Sequence, residues 1–300
     1  MTTSPASGND LRGVLVALAT PFTADGSLDV PRLRALVDRT IDGGVHGVVA
    51  CGSTGEFSAL SADERRQVVE TVVDQTAGRV PVVAQTGSTS VTEAIALSQH
   101  AESAGASVVM PVAPFYEPLS LDETAHYLRR VASSVQIPVM IYNLPGATGV
   151  DLPPSLVAEL ADSVENIRYI KNTTPDMAQA AQLIHYYGDR LGLFLGWDSL
   201  ILSSLASGSA GVMAGTANVI PAEIVAVYDA IQAGDLAAAR AAWARIYPLL
   251  DASLSMNYVA AVKVALDAVG FSVGPTREPI GPLADADAAR ITELASAFRS

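Results

Sequence analysis

Lysine is almost missing from this chain: two of its 300 residues, against sixteen arginines. Basic charge is scarce altogether, 18 residues against 31 acidic ones, for a formal net charge of −13. No basic stripe exists to neutralise phosphates, which excludes a nucleic-acid surface and attraction to an anionic membrane. Cysteine occurs once, as Cys51, so no intrachain disulfide can form and nothing suggests an oxidising compartment. No apolar run approaches the roughly 20 residues of a membrane span. Met1–Asp10 lack the basic start and apolar stretch of a secretory leader. His46, His100, His126 and His185 show no metal-ligand spacing, and no Gly-x-Gly-x-x-Gly sits at a strand-to-helix turn. The expectation is a cytoplasmic protein with no metal, no dinucleotide, no membrane and no nucleic acid.

What is present is apolar and regular. Half the residues are hydrophobic and 16% are charged, enough for a sizeable core. Short β-rich runs, apolar on both faces as in a covered parallel sheet, alternate with helical patterns. They are Val14–Ala19, Val45–Ala50, Val80–Gln85, Ser107–Pro111, Pro138–Tyr142, Ile167–Lys171, Leu193–Gly196 and Gly211–Ala214. Ser61–Glu64, Ser90–Glu93 and Ser120–Glu123 read as capping boxes, while Gly105 and Gly188 are helix stops. Eight strand–helix units in about 210 residues predict an α/β fold, a closed (β/α)8 TIM barrel. Three segments follow: a frayed N-terminus over 1–12, a catalytic barrel over 13–233, and a helical region over 234–300 packed on it. Within the last, helices are predicted from Asp235, Asn257 and Asp285.

In such a barrel the chemistry gathers where strands end and loops begin. One of the two lysines, Lys171, closes the sixth strand. An amine, unlike a guanidinium, can lose its proton and attack a carbonyl. The ordinary alternative is a lysine whose stem lies along apolar surface with its charge held out. Tyr142 ends the neighbouring strand, roughly 5 Å away, so a phenol and an amine could share one substrate atom; alone, it reads as well as an aromatic filler of the barrel. After the second strand, Gly52-Ser53-Thr54-Gly55-Glu56 offers two hydroxyls and backbone N–H groups suited to a carboxylate, but lacks the lysine of a phosphate loop. Cys51 adjoins this turn without a histidine in any strand-end motif, and is taken as a small core residue. Asp198 and Ser199 follow the seventh strand, where Asp198 could read substrate hydroxyls or simply cap a helix.

Gly52-Ser-Thr-Gly-Glu56, Tyr142-Asn-Leu-Pro145 and Ile170-Lys171, in this order and spacing, resemble the dihydrodipicolinate synthase / N-acetylneuraminate lyase family. The likeness runs from Gly13–Pro21 through Gly211–Asn218 to Pro275–Pro282. It implies a barrel with a C-terminal helical extension, assembled as a homotetramer of two tight dimers. It implies that Lys171 forms a Schiff base with the keto carbon of pyruvate or a related 2-oxo acid, with no other cofactor, and that Tyr142 moves protons. Ser53, Thr54, Gly52 and Gly55 would hold the carboxylate, Thr54 linking Tyr142 to a second tyrosine. Tyr116 matches the tyrosine that crosses the tight dimer, and Met213, on the eighth strand, joins the substrate-binding set. In the synthase branch an arginine after Tyr-Asn-x-Pro pairs with the carboxylate of aspartate semialdehyde; here Ala147 stands there. An alanine makes no ion pair, which favours the branch acting on 2-keto-3-deoxy sugar acids. The leading expectation is therefore reversible aldol cleavage of a 2-keto-3-deoxy acid to pyruvate and an aldehyde. A dehydratase of such an acid comes next, then 4-hydroxy-tetrahydrodipicolinate synthase. A non-catalytic 2-oxo-acid-binding barrel is the reading of another class.

Overall fold

The structure, a computed structural model, describes residues 11–299. Eight parallel strands close into a barrel in sequence order: β1 (Gly13–Ala17), β2 (Gly47–Ala50), β3 (Val82–Gln85), β4 (Val108–Met110), β5 (Val139–Asn143), β6 (Ile167–Asn172), β7 (Gly192–Leu195) and β8 (Gly211–Ala214). Helices α1 (Val30–Asp42), α2 (Ala62–Thr76), α3 (Val91–Ala104), α4 (Leu121–Ala132), the short α5 (Pro145–Thr148), α6 (Pro154–Ser163), α7 (Met177–Tyr187), α8 (Ile201–Ala206) and α9 (Pro221–Gln232) alternate with them. Then come α10 (Leu236–Leu254), α11 (Tyr258–Ala268) and α12 (Asp285–Ser296). This is the (β/α)8 barrel with C-terminal helices that the alternation predicts.

The period of two along each strand divides the core into two shells. Leu15, Val49, Met140, Tyr142, Tyr169, Phe194 and Met213 form one cluster inside the barrel. Val14, Val16, Val48, Ile141, Ile170 and Val212 belong to the other, between strands and helices. A strand in this setting is apolar on both faces, which is why hydropathy reveals it. It also explains the boundary errors. β3 starts after Pro81 and β4 stops before Pro111, since proline has no N–H for the ladder. β5 and β6 run one residue past the apolar stretch because Asn143 pairs with Asn172, its Nδ2 donating to the Asn172 Oδ1 at 2.8 Å.

Ser61 and Ser120 form full capping boxes with Glu64 and Glu123. The box predicted at Ser90 is absent, and the Ser90 side chain makes no cap bond. Ser88, two residues earlier, accepts from Ser90 N at 3.2 Å and donates to Glu93 instead. Its backbone is meanwhile held by the Tyr127 hydroxyl from α4. Gly105 ends α3 in the left-handed region, and Gly188 follows α7 in right-handed geometry.

Most of the frayed segment predicted over 1–12 lies outside the described residues. Within it, Leu11 is buried, and its N–H donates to the Tyr169 hydroxyl at 3.1 Å. Among the described residues no helix is long and apolar enough to cross a membrane, and no group of three or more His, Cys, Asp or Glu side chains could hold a metal ion.

Candidate active site

The strand register sets Tyr142 beside Lys171. Both side chains are buried, and the Lys171 Nζ lies 4.2 Å from the centroid of the Tyr142 ring. The negative face of the ring is a partner for a positive charge that develops on that nitrogen. Among the described residues the Lys171 Nζ has no hydrogen bond or carboxylate in contact. The next strand makes room for its stem. A Cβ on Gly196 would come within 2.8 Å of the Lys171 Cε and 2.1 Å of the Thr173 Oγ1. On β8's exit, a Cβ on Gly215 would meet the Tyr258 hydroxyl at 2.5 Å and the Thr54 Oγ1 at 2.9 Å. Each of these strand-end glycines thus leaves room for two side chains, Lys171 and Thr173 at one and Tyr258 and Thr54 at the other.

The turn after β2 is bracketed by two non-glycine residues in the left-handed region, Cys51 (φ 57°) and Glu56 (φ 55°). Such backbone persists only when its surroundings hold it. The Gly55 N–H is spent inside the turn on the Gly52 O at 3.0 Å, so it is not offered to an anion. The N–H groups of Gly52, Ser53 and Thr54 have no protein acceptor among the described residues, and three unpaired N–H groups in a row suit a carboxylate. The hydroxyl that reaches Tyr142 from this turn is that of Ser53, at 3.2 Å. Thr54 faces Gly215 instead and makes no hydrogen bond to Tyr142. Burial pushes the Cys51 thiol up to about 12, as fits a core residue rather than a nucleophile.

The turn is pinned from behind by a residue the sequence reading passed over, the second lysine. Lys263, on α11, places its Nζ 2.6 Å from the Glu56 Oε1, and donates to the Thr20 and Pro275 carbonyls. The Arg277 N–H donates to the other Glu56 oxygen at 2.8 Å. Burial draws the Lys263 ammonium below the usual lysine range, and the charge of Glu56 opposes that shift. Nothing local in the sequence marks this pair, whose members lie far apart along the chain.

Asp198 is fully engaged on one side. Its Oδ2 accepts from Thr216 N at 3.0 Å, from the Thr216 hydroxyl at 2.5 Å and from the Tyr258 hydroxyl at 2.5 Å. It caps no helix: the short turn Asp198–Leu200 has no side-chain cap bond. Burial raises its carboxyl above the ordinary range, against the pull of those donors and of the Lys171 charge. Tyr258 was also missed; its burial and the Asp198 charge keep it a phenol well above the usual tyrosine range. Ser199 is half-buried, Met213 is buried in the barrel interior, and Ala147 is exposed on α5 at the rim. Tyr116 is 82% exposed and far from enclosure within its own chain. Thr173, two residues beyond Lys171, has a buried Oγ1 with no hydrogen-bond partner; an unpaired hydroxyl cannot be read from sequence.

The model of the Dihydrodipicolinate synthetase family matches residues 10–298. The chain belongs to that family. Its members are class I lyases and aldolases working through a lysine Schiff base, and this chain is such an enzyme. A 4-hydroxy-tetrahydrodipicolinate synthase of Pelobacter propionicus is 38% identical over 96% of this chain and 98% of its own length. The crystal structure of a putative dihydrodipicolinate synthetase from Pseudomonas aeruginosa superposes with a TM-score of 0.93 at 33% identity, covering 97% of this chain and 100% of that one. YagE, a prophage protein of this family from E. coli K12 solved in complex with pyruvate, gives 0.91 at 34%, covering 96% and 98%.

Proposed function

We propose that this enzyme joins and splits pyruvate and an uncharged hydroxy-aldehyde, through an imine at Lys171, to make or cleave a 2-keto-3-deoxy acid. The observation that carries this reading is the pairing of a buried lysine with a tyrosine whose hydroxyl meets Ser53, in a turn that carries three unpaired N–H groups. In cleavage, the neutral Lys171 amine adds to the C2 carbonyl, the Tyr142 phenol gives its proton to the departing oxygen, and water leaves, giving an iminium and a Tyr142 phenolate. Tyr142 takes the proton of the C4 hydroxyl, the C3–C4 electron pair flows into the iminium, and the aldehyde departs. The enamine then takes a proton at C3, and water releases pyruvate and the free amine. The N–H groups of Gly52, Ser53 and Thr54 hold the 2-oxo acid's carboxylate, and Ser53 orients the Tyr142 phenol.

Two observations favour a hydroxylated partner over aspartate semialdehyde. Ala147 puts no cation at the rim, and the Thr173 Oγ1 beside Lys171 is a buried hydroxyl in need of a partner. The synthase reading stands second, favoured by the name of the Pelobacter relative. In both, Tyr116 serves the site of a second copy within a homotetramer, since its own chain leaves it outside.

Borohydride reduction in the presence of pyruvate should leave a covalent adduct on Lys171, seen by mass spectrometry and lost in Lys171→Ala. No adduct on the native enzyme would sink the Schiff-base assignment and leave the binding-only barrel. A panel of aldehydes with pyruvate then chooses the partner. Hydroxy-aldehydes should outrun aspartate semialdehyde, and the opposite ranking would return the synthase to first place.

A further inference from the structure

Asp198 is a buried carboxyl two residues beyond Gly196, whose backbone lies against the Lys171 stem, and nothing in the imine chemistry above uses it. Its environment is built with care. Three donors converge on Oδ2, two from Thr216 at the exit of β8 and one from Tyr258 in the first turn of α11. The Tyr258 hydroxyl also accepts from Thr216 N at 3.1 Å. Three donors gathered on a single oxygen favour the charged form, because each bonds more strongly to a carboxylate than to a neutral acid. The other oxygen, Oδ1, has no partner among the described residues. The backbone leading to Asp198 passes Lys171 so closely that Gly196 has no room for a Cβ. Nothing about this geometry serves a substrate hydroxyl alone, because the half of the carboxylate best placed to be rigid is already saturated.

We propose that Asp198 is the counter-charge of the Lys171 iminium, and that Tyr258 is the positioning residue that holds it. The C-terminal helices therefore complete the site by supplying the phenol that fixes this anion. An iminium carries a positive charge that neutral pyruvate carbonyl and neutral amine do not, so a fixed anion nearby stabilises the bound imine relative to the free pair. The pre-set hydrogen bonds let it do so without reorganising. This rests on Lys171 being the imine-forming lysine.

The test is the pyruvate concentration that gives half-maximal borohydride trapping at Lys171, measured with thermal melting on the same samples. Asp198→Asn keeps an acceptor oxygen for Thr216 and Tyr258 but removes the charge, so a merely structural role would leave trapping unchanged. It should raise the half-maximal concentration by at least about tenfold with little change in melting. Tyr258→Phe, which keeps the ring and loses the hydroxyl, should raise it by about threefold. It decides the matter if Asp198→Asn fails to fold. Trapping within twofold of the native enzyme in the folded variants overturns the counter-charge while leaving the imine intact. Absence of any adduct on the native enzyme overturns the imine itself, and this inference with it.

Discussion

At the scale of single residues, the chemistry of this enzyme depends on which side chains are denied water. Both lysines are only 4% exposed, and each lies over an aromatic ring. They differ in that Lys263 is locked in an ion pair with Glu56, whereas Lys171 has no carboxylate within ion-pair distance among the described residues. Removing one member of a buried pair strands the other charge. Lys263→Met is accordingly expected to cost about 3–5 kcal/mol in denaturant unfolding, and the double variant Lys263→Met/Glu56→Gln to recover much of it. A double variant no better than the single one would mean that Lys263 acts through the Thr20 and Pro275 carbonyls instead. Lys171, Tyr142 and the Gly52–Glu56 turn were legible in the sequence because strand ends can be counted and because lysine is rare. Thr173, Tyr258 and Lys263 were not. Their significance lies in partners found or missing across the barrel, and a hydroxyl without a partner leaves no mark on the chain.

At the scale of elements, helix starts can be read when the capping side chain is adjacent to its own helix. Ser61 and Ser120 obey that rule. Ser90 breaks it, since Ser88 is held two residues upstream by Tyr127 and takes over the role. Ser61→Ala is expected to lose about 1 kcal/mol of stability. Ser90→Ala should stay within about 0.5 kcal/mol of the native protein. Chemical denaturation of the two variants distinguishes them, and equal losses would restore the predicted box. The same locality explains the strands. Their existence follows from apolar runs, whereas their ends are decided by the Asn143–Asn172 pair and by Pro81 and Pro111.

For the whole molecule, one of the C-terminal helices, α11, reaches the loops where the barrel strands end. α11 carries Tyr258 to Asp198 and Lys263 to Glu56, so it touches the loops after β2, β7 and β8. The sequence predicts that these helices pack on the barrel, but not that they reach its mouth, because helical periodicity reports which face is buried and not against what. The proposed role of Tyr116 in a second copy's site makes two predictions. Sedimentation should find more than one copy, and Tyr116→Phe should cut turnover by at least about tenfold while leaving pyruvate trapping intact. A fully active monomer would remove that role.

The burial of both lysines leaves the described exterior with no ε-amine at all; every basic side chain there is an arginine or a histidine. Acylating reagents, which consume amines and spare guanidinium groups, therefore find no lysine to modify on the described surface. Reaction at Lys263 has to wait for the structure around α11 to open, and its rate is a clock for that opening. Among the described residues the surface thus presents no ε-amine with which an aldehyde could condense away from the barrel.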